Sequence, residues 1–184
     1  MNIFANLFFI TNSIIQFLTI TWVFVNEGIW LDPPSVSSEI QTLSVFLLVL
    51  TVTIYIQDLS IFLYTCSQNF LFNYISIVFP LIILHQVGWT MVCSFDTENR
   101  VLYHYIGAFL FVVSFVILSP LFIMYSQSIT LATSYILTAI AAFLYAFFYF
   151  TGEKVVAFLL EWLAFWLYSI SHILFAVSMS WEII

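Results

Sequence analysis

Basic residues are almost absent from this 184-residue sequence: Arg100 and Lys154 are the whole set, against nine Asp and Glu, for a formal net charge of −7. No cluster of cations exists to hold a phosphate backbone, which excludes nucleic acid as a partner. Cysteine is as scarce. Cys66 and Cys93 are expected at opposite faces of a membrane, far beyond the ~6 Å Cα separation of a disulfide, so no intrachain bridge is expected. The sequence has no GxSxG elbow, no GxxxxGK[ST] phosphate loop, no paired CxxC and no GxGxxG, so the usual soluble-enzyme chemistries have no signature here. There is no Asn-x-Ser/Thr sequon either.

What is present is apolar. Hydrophobic residues make up 64% of the chain and charged residues 6%, with a mean hydropathy of +1.16, so the chain cannot present a mostly polar surface to water. A bilayer core needs about 20 helical residues per crossing. Six stretches qualify: Ile3 to Val25, Ile40 to Tyr64, Phe72 to Cys93, Leu102 to Met124, Leu131 to Phe150 and Val155 to Met179. They imply an all-α, polytopic transmembrane bundle of six helices forming a single domain, with no room for a separate soluble one. The first stretch lacks a basic n-region and a small-residue cleavage site, so it reads as a retained span. Pro120 and the polar segment Tyr125 to Thr130 argue against merging the fourth and fifth helices.

With six spans, both termini share one side with loops two and four. The other side collects Glu27, Asp32, Glu39, Asp96, Glu98, Arg100, Glu153 and Lys154. Counting cations nominally makes that side cytoplasmic, on two residues embedded among carboxylates. The longest loop, Asn26 to Glu39, carries Asp32, Pro33 and Pro34 and is the only one large enough to shape a site.

Ionisable groups inside a span cost about 2.5 to 3.5 kcal/mol each and normally face a partner in the bundle interior. On the sixth helix, Glu161, Ala164, Tyr168 and His172 fall on one inward stripe. Glu161 lies about 9 Å from the acidic-loop side, His104 about 3 Å and His85 about 13 Å, so these three are expected to converge as an intramembrane polar cluster. They come from three helices without HExxH spacing, so no metal or cofactor is expected and no catalytic residue is assigned. His172 is too far along its helix to reach Glu161 and reads as a packing histidine. Asp58, beside Gln57, is expected at the membrane interface. Pro80 is expected to kink the third helix, and Gly88, Gly107-Ala108, Ala139, Ala142 and Ala146 permit close helix approach. Trp22, Trp30, Trp89 and Trp181 sit near predicted span boundaries.

The segment Gly88-Trp-Thr-Met-Val-Cys-Ser-Phe95, followed by His104-Tyr-Ile-Gly107-Ala108 and Phe111, resembles the DRAM/FRAG/SFK family of six-span membrane proteins, the damage-regulated autophagy modulators. The Pro33-Pro34 loop resembles that family's first loop. Glu161-Trp162, His172 and Trp181-Glu182 look closer to its relatives, the GPI-anchor lipid-remodelling proteins. Gln57-Asp58 stands where the family has basic residues. The resemblance implies cytosolic termini and acidic loops facing a lumen or the exterior. It further implies a non-enzymatic endomembrane regulator or scaffold in lysosome, Golgi/ER or plasma membrane, acting through membrane lipids or membrane-protein partners. A lipid-remodelling factor with Glu161 and His104 lining a cavity beneath the Pro33-Pro34 loop is the alternative. A third reading rests on composition: 22 Phe with two cations, and Tyr105-Ile-Gly107-Ala108 before an apolar run, resemble an organelle-encoded respiratory-chain subunit of the mitochondrial inner membrane.

Overall fold

The computed structural model describes residues 3–26, 36, 44–67, 73–95 and 101–180, with the side chains of 3–6, 44, 101, 125, 179 and 180 set aside. Among the described residues six long helices follow one another: α1 (Ile3–Asn26), α2 (Ser44–Ser67), α3 (Ile75–Ser94), α4 (Val101–Ser126), α5 (Ile129–Thr151) and α6 (Lys154–Ser180). No strand occurs among the described residues. Each helix is long and apolar enough to cross a bilayer. Only closed helical hydrogen bonding satisfies a backbone in hydrocarbon, which is why so apolar a chain resolves into helices and the segments that join them.

Two of those turns are fully described, and each has a local chemical cause. α4 runs past Pro120 to Ser126, and the break comes at Gln127, whose φ of 50° is left-handed. Ser128 then caps α5 by accepting a hydrogen bond from the Leu131 N–H at 3.3 Å. At the other end Gly152, at φ 91°, closes α5 while the Glu153 N–H reaches back to Phe148 O at 3.0 Å. α4, α5 and α6 are therefore successive antiparallel hairpins.

Each helix packs on its neighbours in the chain and α6 returns to α1, closing a ring that α6 also bridges by touching α4. The seams are unequal. Between α3 and α4, Gly88 and Gly107 face each other: a Cβ on Gly88 would fall 2.5 Å from Phe111 N and 2.7 Å from Gly107 O. Only glycine permits so close a crossing. The α4–α5 seam is looser, with Ala139 and Ala142 of α5 bordering open space.

α6 is buried on two sides. Trp162, fully buried, stacks on Phe46 of α2 and meets Phe24 of α1 edge-on. Trp89, five residues before the end of α3, is 1% exposed and donates its Nε1–H to Thr51 Oγ1 at 3.1 Å. An indole has one polar atom, and a hydroxyl on α2 satisfies it in the interior. Trp22 is exposed at 60%, whereas Trp30 and Trp181 lie outside the described residues. The outward faces carry exposed Leu, Ile, Val and Phe side chains along all six helices, a surface suited to acyl chains.

Candidate functional site

Two regions of the bundle carry polar chemistry. The first is a buried belt at mid-height across α1, α2, α3, α5 and α6. Gln57 of α2 donates its Nε2 protons to Ser13 Oγ (3.1 Å) and Gln16 Oε1 (2.9 Å) of α1, and Ser169 of α6 donates to the same Gln16 Oε1 at 3.1 Å. Asn12 donates to Thr53 O at 2.8 Å, and Ser134 of α5 pairs with Ser171 of α6 at 2.8 Å. Gln16 Nε2 and Gln57 Oε1, both buried, make no hydrogen bond among the described residues.

At the centre of the belt, Asp58 Oδ2 lies 3.0 Å from His85 Nδ1, with both side chains 3% exposed. Asp58 is therefore not interfacial. α2 continues to Ser67, past the expected end at Tyr64, which leaves about 13 Å of helix beyond Asp58 and carries the carboxyl deep into the bundle. His85 thus finds its acid on α2 and not on α6. The Tyr168 hydroxyl lies 3.5 Å from His85 Nε2, and the His85 ring stacks on Phe111 at 4.2 Å. His172, also buried, donates its Nδ1–H to Tyr168 O at 2.8 Å and with Asp58, His85 and Tyr168 borders a small cavity. Tyr168 and His172 of the expected stripe accordingly face this centre.

The second region is a cleft of about 90 Å³ between α4, α5 and α6 with one wall from α3. Ala108, Val112, Ala139, Ala142 and Ala164 leave the room, and Phe165, Phe111 and Trp89 back it. Glu161, His104 and Tyr145 stand toward one end, and Thr138, Phe115 and Tyr168 toward the other. The hydroxyls of Tyr105 and Tyr149 are hydrogen-bonded across the α4–α5 seam at the Glu161 end. Phe115 and Tyr168 also border the small cavity around Asp58, and so divide the two spaces.

Glu161 and His104 are fixed by backbone groups. The Val36 N–H donates to Glu161 Oε2 at 3.1 Å, tying a buried residue of the first loop to α6. His104 donates its Nδ1–H to Phe95 O at 2.9 Å, just beyond the end of α3. A carbonyl can only accept, so this bond sets the tautomer and leaves Nε2 as the basic nitrogen. Of the three residues expected to converge, Glu161 and His104 share the cleft while His85 belongs to the belt. Asp32, Pro33 and Pro34 lie outside the described residues. Among the described residues, no three His, Cys, Asp or Glu side chains form a metal-binding group.

The residues that sequence reasoning missed are Asp58 as the partner of His85, and the glutamine and serine groups of the belt. Asn12, Ser13 and Gln16 at helical spacing on α1, with Thr53 and Gln57 on α2, were the available signal: polar residues on one face of an apolar span need partners on a neighbouring helix. The arrangement as a whole offers an apolar slot with an acid and an imidazole at one end. The chain matches no family model, no curated protein and no solved structure.

Proposed function

We propose that this protein is a multi-pass membrane regulator that works by holding a membrane amphiphile in the α4–α5–α6 cleft, its tail along the apolar wall and its head beside Glu161 and His104. The single observation that carries this reading is the cleft itself, lined for the most part by apolar side chains with Glu161 and His104 toward one end. Phe109 of α4 and Ile140 and Phe143 of α5 are exposed on the outside of the bundle, a surface suited to acyl chains. Endomembrane residence and a scaffold role of the autophagy-modulator type follow from the resemblance and belong to the same proposal.

Lipid bound to protein purified in mild detergent tests it. Native mass spectrometry of the wild-type chain is expected to show an adduct of lipid mass that Ala142→Trp loses while keeping the same unfolding midpoint. Equal adducts in both proteins would reject the cleft as the binding site.

A second reading, lipid remodelling, draws on the same pair, since an acid and a base share one wall. It requires turnover: lipid profiles of membranes lacking the protein would show altered GPI or acyl-chain species, restored by wild type and not by Glu161→Gln. Recovery of the protein in a large respiratory assembly would favour the third reading, a subunit of the mitochondrial inner membrane.

A further inference from the structure

The small cavity at the centre of the belt is bordered by Asp58 of α2, His85 of α3, Tyr135 of α5 and Tyr168 and His172 of α6, with Phe115 of α4 between it and the cleft. Its volume is about 10 Å³, close to the room of a single water. Three polar atoms around it lack a protein partner. Asp58 commits Oδ2 to His85, and its Oδ1 makes no hydrogen bond among the described residues. His172 commits its Nδ1–H to Tyr168 O, so its Nε2 is an acceptor, and that nitrogen is unpaired among the described residues as well. The Tyr135 ring meets Phe115, while its hydroxyl makes no hydrogen bond among the described residues. All three residues are 3% exposed or less, which closes them to bulk water. Gln16 and Gln57 differ, because their orphaned amide atoms are packed over. The three atoms here keep accessible surface, and the cavity is the space they share.

A carboxylate oxygen and the Nε2 of this imidazole only accept, whereas a phenol O–H donates. One water matches that set: it donates to Asp58 Oδ1 and to His172 Nε2 and accepts from the Tyr135 hydroxyl. Three bonds is the usual number for a buried water, and an unpaired polar atom in the interior is costly. A hard cation would need a shell of about six oxygens, whereas an imidazole nitrogen and the Phe115 ring take up part of this wall. We infer that the small cavity binds one water, held by Asp58, Tyr135 and His172, independently of what the cleft holds. The water acts as a strut. α2 and α5 stand across the ring from each other, and it joins them to α6. It also extends the chain from Tyr168 through His85 and Asp58 to His172, so that both buried histidines belong to one hydrogen-bonded network.

A crystal structure of the full chain, at a resolution that shows ordered water, tests the assignment without any variant. Density for one water within hydrogen-bond distance of Asp58 Oδ1, the Tyr135 hydroxyl and His172 Nε2 is expected. An empty cavity would overturn it. Thermal unfolding in detergent supplies a second measurement. Tyr135→Phe keeps the ring against Phe115 and removes one bond to the water, and is expected to lower the midpoint by a few degrees. In a His172→Leu background, where the water has already lost an acceptor, the same change is expected to lower it by clearly less. Equal shifts in both backgrounds would mean that no shared water links the two residues. Replacing sodium chloride by choline chloride at fixed ionic strength is expected to leave the wild-type midpoint unchanged. A midpoint that rises with sodium would put a cation in the cavity and overturn the water.

Discussion

Asp58 with His85 and Glu161 with His104 are the same two residue types set in two different surroundings. In the belt, acid and imidazole are 3.0 Å apart and sealed in. In the cleft, Glu161 accepts from the Val36 backbone and His104 donates to the Phe95 backbone, and both border open space. The difference separates what a buried charge does for a fold from what it does for a ligand. A sealed pair must be matched internally because neither bulk water nor lipid can satisfy it, so it fixes the register of α2 against α3. An acid and a base held by the backbone keep their geometry whether or not a guest arrives.

Loss of one member of the sealed pair is the harshest way to probe that contrast. Asp58→Ala leaves His85 buried beside no acid and is expected to cost about 3 to 5 kcal/mol in detergent unfolding titrations. Asp58→Leu with His85→Leu together is expected to recover most of that loss. Glu161→Ala removes the acceptor of the Val36 N–H, about 1 kcal/mol for that bond alone, and is expected to cost less than Asp58→Ala. Equal losses at Asp58 and Glu161 would erase the distinction.

The two seams of α4 supply the next comparison. Gly88→Ala pushes a Cβ against Phe111 N and Gly107 O, both backbone atoms, and is expected to cost about 1 to 3 kcal/mol in thermal unfolding. Ala142→Leu on the opposite seam fills existing space and is expected to be neutral or to stabilise by about 0.5 to 2 kcal/mol. On the same seam, Tyr105→Phe removes the hydroxyl bond to Tyr149 that ties α4 to α5 at the Glu161 end. It is expected to cost about 0.5 to 1.5 kcal/mol and to speed lipid exchange measured by fluorescence.

The six spans were legible because a run of about 20 apolar residues is a one-dimensional signal, and the described residues form six such helices. That Glu161 and His104 share one space was legible for the same reason: depth along a helix can be counted from its end. Pairing was not. His85 has the depth to meet either Asp58 or Glu161, and the choice depends on which helix neighbours α3 in the ring. Counting Asp58 from a span ending at Tyr64 also set it too near the surface, since α2 reaches Ser67. Trp89 shows a similar limit: its distance from the end of α3 says nothing of Thr51, the group on α2 that lets it lie inside.

The account turns on whether an amphiphile's tail lies inside the α4–α5–α6 cleft. Irradiating the full chain in nanodiscs with a sphingosine bearing a diazirine in its tail, then mapping adducts by peptide sequencing, tests this directly. Labels are expected on cleft-lining residues, Val112, Ala139 and Ala142 among them, and to vanish with excess unlabelled sphingosine. Labels confined to lipid-facing residues such as Phe143 and Phe147, undiminished by competitor, would contradict it.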